Sequence, residues 1–259
     1  MGHFLLGRLP GTPKWTHVVD LIASGADAPA VALAVLSASK KELETAAQDP
    51  ILCYTTWLLT QVPLAAKGQE FFDELRVKGL QLVHGPTLME VMGSFTDTVD
   101  AYADQQKRRS DIGEMAQLSA VESLTSLIGE KTGSLFGATP KDVKKALRSF
   151  TTKKNFSLLT QEFFARFLRR YLSYFLSREL SNHVGPNRRF ANIYKHIEFN
   201  QALDLYCRQV TRIVKEFAEY WFSEAYEGGI NLSKARTFTY EALKKIRDEL
   251  GLDNGSNGQ

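Results

Sequence analysis

The chain has 259 residues, 44% of them hydrophobic and 24% charged, with 18 Gly, 8 Pro and a formal net charge of +3. At roughly 100 to 200 residues per domain this is one large domain or two small ones, and the balance excludes collagen, general disorder and low-complexity architecture. Two cysteines, Cys53 and Cys207, are too few for a disulfide framework. No CxxC or Cys/His cluster has zinc spacing, so a reducing compartment is expected, with neither metal nor other cofactor.

The first residues, Met1 to Leu9, hold a short apolar piece without a cationic run ahead of it, which does not read as a signal peptide. The segment Gly7 to Trp15, GRLPGTPKW, carries too many Pro and Gly for regular helix and too many apolar neighbours for a free tail. It reads either as a strap that buries Trp15 or as an arm, carried by Arg8, Leu9 and Trp15, that inserts into a neighbouring subunit.

Helix punctuation then runs almost to the end of the chain. Gly25 stops a first helix from about Thr16, Asp27 with Pro29 starts a second, and Ser39 with Glu42 has the spacing of a capping box. Asp49 and Pro50 open a helix to about Thr60, which Pro63 separates from a segment ending at Gly79. Pro86 begins a helix to Gln105, Ser110 and Asp111 one to Gly129, and Thr139, Pro140 and Asp142 a short one to Phe150. The later helices are expected over Ser157 to Asn182, Phe199 to Tyr226 and Ser233 to Leu250. Strand signals are confined to Gly79–His84 and Arg189–Phe199, neither with clean alternation. The expected fold is all-α, a multi-helix bundle of about nine to ten helices with room for one short β ribbon. An acidic half, 1–105, and a basic half, 106–252, meet at the polar stretch Asp104–Asp111, which is either the turn of a helical hairpin or a linker; 253–259 is expected to be a disordered tail.

Two helices are long enough for their faces to be read. From Leu203 the apolar positions Tyr206, Val210, Ile213, Val214, Phe217 and Trp221 fall on one side, which predicts a buried Trp221 opposite a wet face with Arg208, Arg212, Lys215 and Glu219. In Ser157–Asn182 the arc of Phe163, Phe164, Phe167, Leu168, Tyr171, Tyr174 and Phe175 is wide enough to pack against two neighbours.

Charge is the most informative functional feature. Residues 1–100 carry 7 Lys/Arg and 11 Asp/Glu, whereas Lys131–Lys215 carries 17 basic residues against 5 acidic ones. Such density favours phosphate-bearing partners unless the acidic half neutralises it. The candidate anion-binding residues are Lys144, Lys145, Arg148, Lys153 and Lys154, at a helix end and polar turn, and Arg188 and Arg189 after Gly185-Pro186-Asn187. Glu179 and His183, one helical turn apart, are the one pair with acid/base or metal-ligand potential, and a surface contact is the plainer reading. Phosphate-loop, dinucleotide-loop, GxSxG and HExxH signatures are absent, which weighs against catalysis. The expectation is a cytoplasmic, non-enzymatic binding or adaptor subunit of a larger assembly, with a protein partner or a second copy, whose basic half engages nucleic acid. The rival is a membrane-surface protein exposing the aromatic face of Phe163–Arg178 to anionic lipid. An accessory role in bacterial phage defence is the biological setting envisaged, and a small helical enzyme using Glu179 and His183 is the outsider.

Overall fold

The same cap residues that mark helix starts in the sequence hold the backbone at those points in the structure. In the computed structural model, which describes residues 9–82, 87–133 and 138–253, α1 (Pro13–Ser24) ends in a left-handed Gly25 with φ 87°. Helix α2 (Ala28–Ala38) starts on Asp27, whose carboxylate accepts from the Ala30 amide at 2.9 Å, and α3 (Lys40–Ala46) follows. Helix α4 (Pro50–Ala65) starts on Asp49, α5 is Phe71–Val77, and α6 (Leu88–Gln105) carries a true capping box between Thr87 and Glu90. Helix α7 (Asp111–Thr132) starts on Ser110, and α8 (Pro140–Ser149) on a second capping box, Thr139 with Asp142. The remaining helices are α9 (Lys153–Asn182), α10 (Ile193–Val210), α11 (Arg212–Glu227) and α12 (Leu232–Glu249).

The fold is thus all-α. Twelve helices stand among the described residues, more than the sequence suggests, and the ribbon is reduced to one isolated parallel bridge, Val184 to Phe190. Most of Arg189–Phe199 is helix, because the Asn192 side chain accepts from the Lys195 amide and starts α10 six residues early. Pro63 does not end α4. It lies in the last turn of that helix, where its missing N–H removes one bond, and α4 is buried on nearly all sides. The box expected at Ser39 and Glu42 does not form: Ser39 has φ −103° and ψ 24°, and its hydroxyl turns back to donate to Val35 O at 2.8 Å.

Two helices organise the packing. α9 is surrounded by α11, α7, α10 and α2, α4 by α7, α12, α6, α5 and α8, and α7 joins the two groups. One hydrophobic cluster runs from Trp15 to Ile246, and α6 and α7 pack as a hairpin across Asp104–Asp111. At Gly113 of α7 a Cβ would lie 2.7 Å from Ile51 Cβ, so only glycine lets α7 sit this near α4. The N-terminal caps of these helices are themselves joined, since Ser110 Oγ donates to Asp49 Oδ2 at 2.8 Å.

The helix expected as Phe199–Tyr226 is broken at Thr211, a buried residue whose hydroxyl donates to Cys207 O at 2.8 Å. From Leu203 onward the buried positions of α10 are Leu203, Cys207 and Val210, so the expected stripe is already off centre at Tyr206. The buried stripe of α11 is Val214, Ala218, Phe222 and Ala225, and Trp221 is half-buried instead of central. Lys215, expected on a wet face, is half-buried as well. The residue at the heart of this corner is Phe238 of α12, with ring contacts to Phe156, Phe164, Phe217 and Trp221. Asp253 is not loose: it pairs with Lys40 at 3.0 Å and with Arg247 at 3.4 Å, and the rest of the expected disordered tail lies outside the described residues.

Candidate functional site

The candidate cations separate into groups with different surroundings. Lys145, Arg148, Lys153 and Lys154 are exposed at the corner where α8 turns into α9, and among the described residues none of them has a carboxylate within 4.0 Å. Arg148 sits in the last turn of α8, where a cation suits the negative end of the helix dipole. Lys153 and Lys154 occupy the first turn of α9, which has no acidic residue, so they oppose its dipole. Lys144 faces away from this corner: it is half-buried, its ammonium donating to Gln69 O at 3.3 Å and lying 5.7 Å from the Phe71 ring centroid.

Arg188 and Arg189 belong to neither surface. They follow the far end of α9, a helix of 30 residues and therefore about 45 Å long, which separates them from the α8–α9 corner. Arg189 donates to Leu21 O at 3.2 Å, to Ile22 O at 2.8 Å and to Ala26 O, and lies over the rings of Phe190 and Phe199. It closes the carbonyl end of α1. Arg188 folds back on Gly185 and donates to Asn182 O.

Trp15 lies within α1, 4% exposed, with its ring 4.8 Å from Phe175, and Leu9 packs against the same core; Arg8 lies outside the described residues. Trp15 is thus held by this chain's own core. The aromatic face of α9 is likewise internal: Phe163, Phe164 and Phe167 are fully buried, Tyr171 donates from its hydroxyl to Ser39 O at 3.1 Å, and only Tyr174 is half-buried. That helix keeps no aromatic face for lipid, and no helix among the described residues is long and apolar enough to cross a membrane.

Glu179 and His183 form an ordinary contact at 3.1 Å at the end of α9. Among the described residues no group of three His, Cys, Asp or Glu side chains is placed to hold a metal ion. Both thiols are buried. Burial pushes Cys53 up to about 11 and Cys207 up to about 12, so both stay protonated near neutrality and make poor nucleophiles.

The sequence reading missed a second cationic feature, on the side of α9 away from its aromatic core. Arg166, Arg169, Arg170, Ser173 and Ser177 follow one another at helical spacing and floor a groove of about 480 Å³ with Leu118 and Glu122 of α7 and Asp204 of α10. Glu122 pairs with Arg166 and with Arg170, Glu162 with Arg166 at 3.6 Å and with Arg208, and Asp204 with Arg208 at 3.1 Å. The spacing of these polar residues along an aromatic helix is the signal that was available.

Comparison with protein-family models, curated proteins and solved structures finds no match for this chain.

Proposed function

We propose that this chain is a non-enzymatic binding component of a larger assembly and that it engages nucleic acid through the α8–α9 corner. The observation that carries the reading is the set of four exposed cations there, Lys145, Arg148, Lys153 and Lys154, without ion-pair partners among the described residues. Several other cations of the basic half are occupied. Arg166, Arg170 and Arg208 meet carboxylates, Lys195 meets Glu198, and Arg189 meets backbone carbonyls. Lys153 and Lys154 also break a local rule of helix electrostatics, and a rule broken without an internal compensation is expected at a functional surface. Assembly with a protein partner or another copy is supported by α10, whose solvent face carries Ile193, Tyr194, Ile197 and Leu205, exposed by 54%, 72%, 45% and 58%.

Fluorescence anisotropy with random DNA and RNA tests the nucleic-acid reading. Four neutralised phosphates give a slope of log affinity on log salt of about −3.6 for duplex DNA, or about a hundredfold loss between 50 and 200 mM salt. The combined variant Lys145→Glu, Arg148→Glu, Lys153→Glu, Lys154→Glu is expected to abolish binding. Its two glutamates in the first turn of α9 favour that helix's dipole while Arg148→Glu opposes that of α8, so an unchanged thermal melt of the variant separates loss of binding from loss of the fold. Absence of binding by the wild-type chain at low salt, or unchanged binding by the variant, refutes the reading.

A further inference from the structure

The α7–α9–α10 groove contains a charge that its surroundings do not match. Four guanidinium groups, Arg166, Arg169, Arg170 and Arg208, meet three carboxylates, Glu122, Glu162 and Asp204. Every one of these pairs involves Arg166, Arg170 or Arg208. Arg169 has no carboxylate within 4.0 Å among the described residues; its guanidinium donates to Ser173 Oγ and to Asn200 Oδ1, the latter at 2.7 Å, both neutral acceptors. Burial pushes its pKa down from the ordinary guanidinium value, because the Asp204 carboxylate across the groove, beyond ion-pair distance, offsets only part of the lost hydration. Guanidinium does not deprotonate at physiological pH, so the cation persists.

This is an arrangement that an anion completes. Arg169 lines an open groove of about 480 Å³, within the range of small-molecule sites, between Arg166 and Arg170, which share the carboxylate of Glu122. The carboxylates on the groove walls, Glu122 and Asp204, are each already held by an arginine. A guanidinium has more N–H donors than the two that Ser173 and Asn200 engage, and its planar fork suits the oxygens of a tetrahedral oxyanion.

We propose that this groove binds a phosphate monoester, with Arg169 as the group that receives the dianion. The ligand is either a free phosphorylated small molecule or the phosphorylated end of a nucleic acid strand. The site is separate from the α8–α9 corner and does not rest on it. Arg169 lies some sixteen residues further along α9, about 24 Å from Lys153.

Calorimetric titration of the full chain with inorganic phosphate and with a nucleoside monophosphate, in low-salt buffer free of phosphate and sulfate, is the test. Wild-type protein is expected to bind both, and Arg169→Gln to bind each at least about tenfold more weakly. Asn200→Asp places a carboxylate where Arg169 now meets a neutral oxygen. It is expected to weaken phosphate to the same extent while leaving the melting temperature without phosphate undiminished, which separates ligand loss from misfolding. The variant with four glutamates at the α8–α9 corner is expected to keep phosphate binding, so the two sites fail independently. In that same variant, a 5′-phosphorylated oligonucleotide binding better than its 5′-hydroxyl counterpart identifies a strand end as ligand, and binding of the monophosphate alone identifies a small molecule. No binding of phosphate or monophosphate by the wild-type chain, or equal binding by wild type and Arg169→Gln, overturns the proposal.

Discussion

Phe238→Ala is expected to destabilise the protein by about 3–5 kcal/mol, the cost of a deleted buried aromatic ring together with the cavity it leaves. Phe238 is 0% exposed and lies at the junction of three helices, its ring centroid 4.4 Å from that of Trp221 and 5.2 Å from that of Phe217 in α11, and 6.2 Å from Phe164 and 6.4 Å from Phe156 in α9. Shrinking the ring to a methyl group removes the common partner of four aromatics at once, and these helices cannot all close on the gap. Trp221→Ala is expected to cost less, about 1–3 kcal/mol, because that side chain is only partly buried. Urea titration checks both. A lowered midpoint at unchanged slope for Phe238→Ala, larger than that for Trp221→Ala, agrees with the packing, and the reverse order contradicts it.

Asp49→Ala is expected to cost about 2–4 kcal/mol. The carboxylate is 4% exposed, and one of its oxygens accepts from the amides of Ile51 at 2.9 Å and Leu52 at 3.0 Å, while the other accepts from Ser110 Oγ. A cap deletion costs about 0.5–2 kcal/mol, and each buried polar group left without a partner adds about 1–3 kcal/mol, partly relieved by relaxation. The damage extends beyond α4, because Ser110 is at the same time the cap of α7, accepting from the Gly113 amide at 2.9 Å. Asp49→Asn preserves a cap oxygen and is expected to cost under about 1 kcal/mol. Thermal melts of the two variants distinguish the roles: equal losses would mean that the negative charge, and not the pattern of acceptors, stabilises the junction.

What the sequence reveals and what it hides divide along the range of the interactions concerned. Asp27, Asp49, Ser110 and Thr139 mark true helix starts because a cap bond spans two or three residues and is written locally. Thr211 escapes for a related reason: the apolar spacing runs through it unbroken, and the small residues Cys207 and Ala218, which pack at the centre of the buried face while Tyr206 and Trp221 flank it, carry little weight in a hydrophobic pattern. The candidate site was legible in part. Four of its seven cations meet at one corner, yet nothing near Arg189 in sequence says that its partners are Leu21, Ile22 and Ala26, and nothing near Lys144 points to Gln69. The charge total of the basic half was plain, but its neutralisation depends on pairs such as Arg170 with Glu122, 48 positions apart. Arg169 stands out only once those pairs have been assigned.

The bond from Arg189 to the end of α1 also has a consequence in time. Its donors reach carbonyls made 163 to 168 residues earlier, and the Phe175 ring that covers Trp15 is made 160 residues after it. At about 5–20 residues per second, a ribosome needs about 8–33 s to cover that separation. Throughout this interval α1 presents Trp15, Val18 and Ile22 without their cover from the second half and leaves the carbonyls of its last turn to water. Although made before the other helices described, α1 is therefore among the last to be finished, and its docking reports that α9 and the loop after it have already been made.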